Sequence, residues 1–341
     1  MPARVNNHQT CIILLNWNNA EDTITCLKAI QQLTVRPETV MICDNGSTDD
    51  SLAKIIAWAE TNYATIKEIN PALASVPITQ NFHEEEPFPE LVLIKNGANL
   101  GYAAGNNSGI RLALSTHKFE FIWLLNNDTQ PSKNALKHLQ QCAAKNPNTG
   151  VFGSTVVDTE NPNTVQCAGG YRYYPATTIC RPVFKNKPLE FVLKQPAEKL
   201  DYIYGASFFA RADIFKKCGL LNEDYFLYFE EIDFCLRVKQ QGYKISWCKN
   251  SIVAHKGSAT IKNNKSTLTA SSNGHYNENL SALLFTKNWY PGLLPVAFLF
   301  RLIGKLAALV LRKEWQSIPL ILKAHRNFIC KKNANALNSR N

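Results

Sequence analysis

The chain lacks most of the signatures that place a sequence in a class at sight. Its ten cysteines include no C-x-x-C pair, and Cys11, Cys43 and Cys248 fall inside apolar, strand-like runs. That pattern speaks against a disulfide framework and fits buried thiols in a reducing compartment. No apolar run of signal-peptide type precedes the first strand, so the expectation is a cytoplasmic protein. There is no low-complexity tract and no internal repeat. Neither the dinucleotide-binding glycine fingerprint nor a P-loop occurs, and no glycine- and basic-rich triphosphate loop follows the first strand.

Acidic charge is scarce at one end. From Gly292 to Asn341 nine Lys/Arg stand against a single acid, Glu314, which accounts for most of the net charge of +10. The first 291 residues are therefore nearly neutral. A basic patch confined to the C-terminus points to an anionic surface, either lipid headgroups or nucleic acid. At 341 residues, 45% of them hydrophobic, the chain can bury a large core. The expected division is 1–265 and a helical, basic region over 266–341.

What is present is a run of strand–helix alternations whose strands end in polar clusters. Cys11–Leu15 is a continuous apolar run, as in a strand buried on both faces, and ends in Asn16-Trp17-Asn18-Asn19. A helical pattern follows over Ala20–Leu33, with Ile24, Leu27 and Ile30 on one face. Val40–Cys43 runs into Asp44-Asn45-Gly46-Ser47-Thr48-Asp49-Asp50-Ser51, a turn followed by helix-capping residues. This spacing predicts βαβ units and a mostly parallel sheet. Residues 70–90, with four prolines and Glu84-Glu85-Glu86, read as a surface insertion. The sheet resumes at Leu91–Lys95, followed by a glycine-rich stretch, Asn96 to Gly109, and a helix through Leu114. Glycines there would let backbone approach a ligand at a helix start.

Phe121-Ile-Trp-Leu-Leu is a further buried strand, and polarity flips at Asn126-Asn127-Asp128. In an open parallel sheet, ligands bind beyond the carboxyl ends of the strands. An oxygen-rich cluster there suits a hard cation and a phosphate-bearing ligand, although a capped turn has the same composition. Pro131 is placed to start the next helix, over Ala135–Lys145. Residues 158–200 read as irregular, and Tyr202–Ala210 as one strand. Glu230, Glu231 and Asp233 crowd the first turn of a helix ending near Gly242, and Asp233 with Arg237 forms an i,i+4 pair. His255 closes a strand on the expected ligand side.

Taken in order, the segments Leu15–Asn18, Cys43–Ser51, Asn99–Asn107, Leu125–Asp128, Gly205-Ala206, Phe229–Arg237 and His255 resemble the family 2 glycosyltransferases of the GT-A fold. The bacterial rhamnosyltransferase-like branch is the most similar. The resemblance spans roughly residues 10 to 260 and is specific because seven degenerate pieces occur in the right order. It implies an α/β fold with a Rossmann-like central sheet and a helical C-terminal extension. It implies nucleotide-sugar binding over about 10–130 and an acceptor and catalytic part over about 150–260.

The same resemblance carries roles residue by residue. Asp44 would hold the base of the sugar donor, with Asn16 and Trp17 beside it and the Trp17 ring able to stack on the base. Asn99, Gly101 and Asn106 would shape the nucleoside and diphosphate pocket. Asn126-Asn127-Asp128 stands for the family's Asp-x-Asp, with Asp128 at the metal position for Mn2+ or Mg2+. Glu231 falls at the catalytic base, normally an Asp, with Glu230 a neighbouring candidate. His255 matches a histidine that completes the metal site or contacts the diphosphate. The implied activity is inverting transfer of a sugar, rhamnose by the branch resemblance, from a dTDP- or UDP-sugar to a glycan or lipid-linked glycan in surface polysaccharide synthesis. No nucleic acid partner is implied. The reduced Asn-Asn-Asp and Glu-Glu motifs also admit a non-catalytic nucleotide-sugar- or glycan-binding relative.

Gly292–Leu311 is about the length of a membrane span, but Arg301 and Lys305 interrupt it. An interfacial helix with its basic residues near lipid phosphate, on the inner face of the plasma membrane, accommodates the run. An ordinary helical hairpin covering the sheet does so as well.

Overall fold

A computed structural model describes residues 9–69, 90–257 and 267–338, with side chains over 267–273 and 331–338 left aside. The insertion expected over 70–90 lies, but for Glu90, outside the described residues.

The core of the fold is a sheet begun by β1 (Thr10–Asn16), β2 (Thr39–Asp44), β3 (Ile66–Ile69), β4 (Leu91–Lys95) and β5 (Phe121–Asn126), mutually parallel in the order β3-β4-β2-β1-β5. The strands are apolar throughout because both sheet faces are covered. In β1, Ile12 and Leu14 pack into one core while Cys11 and Ile13 pack into the other. The first core lies under α1 (Ala20–Gln31), α2 (Ser51–Glu60) and α4 (Ala135–Lys145), and the second under α3 (Gly101–Ser115) and the C-terminal half. Leu27, Ile30 and Leu136 on one side, and Ile110 and Leu112 on the other, exclude water from the strands.

Beyond β5 the sheet continues through β12 (Ser207–Arg211), β7 (Thr149–Asp158), β13 (Lys244–His255) and β6 (Thr129–Pro131). Only β12, β6 and the short β8 (Val165–Ala168) run against the majority direction. The mostly parallel sheet with flanking helices and a helical C-terminal region is thus the architecture expected.

Several local expectations are corrected. Pro131 does not start a helix; it ends β6, which pairs antiparallel with β13, where Pro131 faces Val253. Residues 158–200 are not irregular. They supply β8, the small helix α5 (Leu189–Lys194) and two strands of a three-stranded sheet, β9 (Gly170–Tyr174) and β10 (Ile179–Pro182), completed by β11 (Tyr202–Ile203). The strand expected over Tyr202–Ala210 breaks at Tyr204-Gly205-Ala206 between β11 and β12. The glycines of 101–109 lie inside α3, and those at 105 and 109 face the sheet. A Cβ on Gly105 would lie 2.6 Å from Leu15 Cδ1, and one on Gly109 would lie 2.9 Å from Ile13 Cγ2. They seat the helix on β1 rather than cradle a ligand.

Residues 267–338 carry α8 (Thr267–Trp289), α9 (Leu294–Leu311) and α10 (Ile318–Asn338). α8 docks on the segment 227–233: Ser281 Oγ donates to Leu227 O at 2.9 Å, and Trp289 Nε1 to Asp233 Oδ1 at 2.8 Å. The Phe285 ring meets Tyr173 edge-on at 5.3 Å. Arg301 and Lys305 are turned inward rather than toward lipid. Both reach Glu278 on α8, at 3.0 and 2.9 Å, and Arg301 is 3% exposed.

Candidate active site

The strand ends arrive in register along one edge of the sheet. Asn16 pairs with Asp44, Asp44 with Lys95 and Leu15 with Asn126. Each chain then turns sharply, so the polar residues that follow are held by hydrogen bonds between loops. Asp44 Oδ1 accepts from Asn16 Nδ2 at 3.0 Å and from Ser47 Oγ at 2.6 Å, and Oδ2 accepts from Ser47 N at 3.1 Å. Asn16 is fully buried and its Oδ1 accepts from Thr23 Oγ1, so it orients Asp44 from behind. Trp17 is 47% exposed at the rim. Asn45, inside the Cys43–Ser51 segment but given no role of its own there, ties two loops together. Its Nδ2 donates to Asn99 Oδ1 at 3.0 Å and to Gly101 O at 3.2 Å. Asn99 Oδ1 also accepts from Gly101 N. Asn106 is buried and donates to Tyr102 O at 2.9 Å within its own helix, so it acts on the loop through Tyr102.

Farther along the edge, Asn126 and Asp128 open onto a cleft of about 980 Å³. Tyr102, Tyr204, Gly205, Glu230, Glu231 and His255 line the same cleft. Asn127 turns away and donates to Thr23 Oγ1 at 2.9 Å. The cluster brought together by the fold is thus Asp128, His255, Glu230 and Glu231, with Asn126 at its edge.

Asp128, in the turn just before β6, and His255, the last residue of β13, are brought together through the pairing of Thr129 with His255. His255 Nε2 lies 3.3 Å from Asp128 Oδ1. Burial opposes the charge on Asp128, but His255 and, more weakly, Lys256 hold its carboxyl below the usual range. The other side of the imidazole is fixed by Gln166 on β8. Gln166 Nε2 donates to His255 O at 2.8 Å and to Asp158 Oδ2 at 3.2 Å, which leaves Oε1 to accept from His255 Nδ1 at 3.0 Å. The proton on Nδ1 is thus held by Gln166, and Nε2 is the nitrogen that faces Asp128. Two cis ligands of one divalent ion, at bond lengths of about 2.1 Å, lie about 3 Å apart. Asp128 Oδ1 and His255 Nε2 match that spacing and that donor chemistry. No cluster of three or more acidic, His or Cys ligands occurs among the described residues. Further ligands to an ion would come from water or a bound diphosphate.

The two glutamates open α7 (Glu230–Gln240). Its entry is sharply bent: Tyr228 and Phe229 have φ of 67° and 75°, a left-handed conformation costing about 1–2 kcal/mol each for such residues. Asp233 is held by Arg237 at 2.9 Å and by Trp289, the orienting place expected of it. Glu231 reaches into the break between β11 and β12, where a Cβ on Gly205 would come within 2.2 Å of Glu231 Oε1. Burial pushes the Glu230 carboxyl well up, reinforced by the charge of Glu231. Burial also raises Glu231, less so because Glu230 and backbone N–H groups, Gly205's among them, donate to it. Glu230 is 2% exposed, and its Oε2 has no hydrogen-bond partner. One proton shared by this pair therefore resides on Glu230, leaving Glu231 the ionised, basic member.

The far wall of the cleft comes from α8 and α9, with His275, Glu278, Phe300, Arg301, Lys305 and Arg312. None of these carried a site role in the sequence. Gln166 was likewise unmarked, since a lone Gln in a short strand has no pattern to distinguish it.

A family model described as "Glycosyltransferase like family 2" matches residues 76–275. A low-salt glycan biosynthesis hexosyltransferase, Agl10 of Haloferax volcanii, is 27% identical over 159 residues, 46% of this chain and 48% of that protein. The chain thus matches about half the length of that relative. An N-acetylglucosaminyl-diphospho-decaprenol L-rhamnosyltransferase of Mycobacterium tuberculosis is 23% identical over 264 residues, 72% of this chain and 75% of that one. Among solved structures, GalNAc-T7 with UDP, GalNAc and Mn2+ superposes with a TM-score of 0.51 at 14% identity, covering 72% of this chain and 43% of that one. That likeness shows a shared GT-A fold.

Proposed function

Because the chain belongs to the glycosyltransferase-like family 2, we propose that it moves a sugar from a nucleoside diphosphate to a hydroxyl of a glycan or lipid-linked glycan, with inversion. One observation carries the reading: Asp128 with His255 and the ionised Glu231 line one cleft.

The donor base lies against Asp44, whose two oxygens are fixed by Asn16 and Ser47, and under Trp17. The loop Asn99–Gly101, tied down by Asn45, and Asn126 flank the phosphates, while Asn127, held by Thr23, does not reach them. Mn2+ or Mg2+ would be held by Asp128 Oδ1 and His255 Nε2, and when bound it supplies Lewis-acid stabilisation of the leaving diphosphate. Glu231 accepts the proton of the attacking hydroxyl, a contribution worth ~10²–10⁴ in rate. Its raised pKa makes it the stronger base, and the proton on Glu230 keeps the pair from carrying two charges. Single displacement follows from one base and no second nucleophile among the described residues, by analogy with inverting glycosidases. The donor is a dTDP- or UDP-sugar, rhamnose in the reading drawn from the rhamnosyltransferase relative. The cellular place is the cytoplasm, with the C-terminal helices at the anionic inner face of the plasma membrane.

The test is a panel of dTDP- and UDP-sugars with Mn2+ or Mg2+, scored for donor turnover and for the anomeric configuration of the product by NMR. Nucleotide binding with no turnover of any donor would favour the non-catalytic alternative, and a retained anomeric configuration would remove the single-displacement mechanism.

A further inference from the structure

The wall built by α8 and α9 carries an ion pair that the transfer chemistry leaves unused. Lys305 Nζ lies 2.9 Å from both Oε1 and Oε2 of Glu278, and Arg301 Nη2 lies 3.0 Å from Oε1. Arg301 is buried and spends its other nitrogens on Asn279 and Thr178, so it holds Glu278 from behind. The Glu278 and Lys305 side chains stay 35% and 29% exposed and line the cleft. A carboxylate has about four lone-pair sites and an ammonium three N–H groups. Glu278 Oε2 accepts from Lys305 alone, and Lys305 Nζ has no partner but Glu278 among the described residues. Each therefore keeps a place for a ligand. A fixed acceptor beside a fixed donor matches two neighbouring hydroxyls of a sugar ring, one giving its proton to Glu278 and the other taking a hydrogen bond from Lys305. A phosphate suits the place poorly, since the Glu278 carboxylate repels it.

Between this pair and the base stands an aromatic ring. Tyr228 lies two residues before Glu230, lines the cleft and is 41% exposed. Its hydroxyl reaches α8: a Cβ on Gly274 would lie 3.8 Å from Tyr228 Oη, and Gly274 stands about one helical turn before Glu278. Burial raises the Tyr228 phenol above its ordinary pKa, and the carboxyl groups of Glu278, Glu230 and Glu231 raise it further. One ring thus neighbours both the base and the ion pair. Its flat apolar face suits the C–H face of a sugar ring, which leaves water on stacking there. The cleft, at about 980 Å³, is at the upper end of the ~300–1,000 Å³ typical of ligand sites, so it has room beyond the sugar being modified.

Resting on the assignment of Glu231 as the acceptor's base, we propose that the acceptor is at least a disaccharide, whose second, unmodified sugar lies on the Tyr228 ring with two neighbouring hydroxyls held by Glu278 and Lys305. The terminal sugar presents its hydroxyl to Glu231. Charge-assisted hydrogen bonds to the second sugar fix its angle and its distance from the base. Glu278, Lys305 and Tyr228 are thus positioning residues: they touch a part of the acceptor that does not react and bring the reacting hydroxyl into line.

The probes are methyl glycosides of glucose, galactose, mannose, rhamnose and N-acetylglucosamine, each beside methyl disaccharides that end in the same sugar. They are titrated into the full chain saturated with UDP and Mn2+ and read by calorimetry. At least one disaccharide is expected to bind at least tenfold more tightly than its monosaccharide, without displacing UDP. Its analogue lacking one of the neighbouring hydroxyls on the second sugar should lose about tenfold, in line with a hydrogen bond to a charged group. Lys305→Met keeps the contact of Arg301 with Glu278, and Tyr228→Ala alters a half-exposed ring, so both variants should fold. Lys305→Met should remove about tenfold of the disaccharide's advantage and Tyr228→Ala severalfold, with monosaccharide and UDP affinities unchanged. A purely structural role would weaken both sugar lengths alike. A panel in which no disaccharide surpasses its monosaccharide would overturn the proposal, as would an undiminished disaccharide advantage in both variants. Donor turnover as efficient with a methyl monosaccharide as with its disaccharides would overturn it too, while keeping the transferase reading. A protein that binds a disaccharide as expected but turns over no donor would keep this subsite and count against the transferase reading instead.

Discussion

The imidazole of His255 is clamped by Gln166, so that Nε2 points at Asp128 Oδ1 from 3.3 Å. Gln166 touches neither the nucleotide nor the acceptor in this reading; it fixes which nitrogen is free to bind an ion. Partners of this kind behind a metal-binding histidine are worth ten- to a hundredfold in affinity. Gln166→Leu should therefore weaken Mn2+ binding by about that factor in the presence of UDP, measured from the free Mn2+ signal by electron paramagnetic resonance. Unchanged Mn2+ affinity would remove the assignment of His255 as a ligand.

The glutamate pair predicts an asymmetry. Glu230→Gln leaves a neutral group able to donate to Glu231, and kcat at neutral pH should fall less than about tenfold. Glu231→Gln removes the base and should cost ~10²–10⁴. Equal losses at the two positions would contradict the placement of the proton on Glu230.

The pH profile follows from the same pair. Activity needs Glu231 ionised, and burial raises its pKa above the ordinary 4.5. The acid limb of kcat should therefore bend at a pH above 4.5, with activity lost as pH falls through that point. An acid limb at or below the ordinary glutamate value would show that Glu231 is solvated in the working enzyme.

Gly205 is the narrowest fit in the cleft. A Cβ there would sit 2.2 Å from Glu231 Oε1, so the carboxylate would have to leave its place beside Gly205. Gly205→Ala should lower kcat by about 10²-fold, the order expected when a reacting group is displaced by an ångström. UDP affinity should be unchanged in an equilibrium titration. Wild-type kcat in that variant would mean the carboxylate can work from another position.

Glu278 predicts a stability effect separate from chemistry. Although burial opposes its charge, Arg301 and Lys305 lower its pKa from 4.5 to about 2. A depressed carboxylate stabilises the fold above about pH 4.5, and that contribution is lost as pH falls from there toward 2. Its side chain is 35% exposed, so the effect is discounted to about 2 kcal/mol. Glu278→Gln should lower the unfolding free energy at pH 7 by that amount, read as a lower urea midpoint, and flatten the loss of stability on acidification. An unchanged midpoint would show that the cluster is solvated.

The parts legible in the sequence were those that one segment decides alone. β1, β2 and β5 announced themselves because burial on both faces demands an unbroken apolar run, and α4 because Leu136, Leu139 and Ala143 recur on one helical face. Asp128 and Glu231 were legible because carboxylates at a strand end and a helix start stand out against apolar neighbours. The three-stranded sheet of β9, β10 and β11 was not. Gly170–Tyr174 alternates no apolar face, and Ile179–Pro182 contains a proline, so only pairing with distant partners makes them strands. Arg301 and Lys305 were misread toward lipid for a similar reason. A basic residue within an apolar helix reads alike whether it faces headgroups or a cleft, and the carboxylate that decides, Glu278, is 23 residues away from Arg301. Gln166 acts on a histidine 89 positions later, a distance no local pattern spans.

The most direct test of a sugar donor held between Asp128 with His255 and the base Glu231 compares binding and turnover in three proteins. UDP affinity with and without Mn2+, and turnover of the best donor, would be measured for the wild type, Glu231→Gln and Asp128→Ala. Glu231→Gln should bind UDP with Mn2+ as the wild type does and turn over at least a hundredfold more slowly, while Asp128→Ala should lose the Mn2+ enhancement of binding and turnover together. Wild-type turnover in both variants would contradict the account.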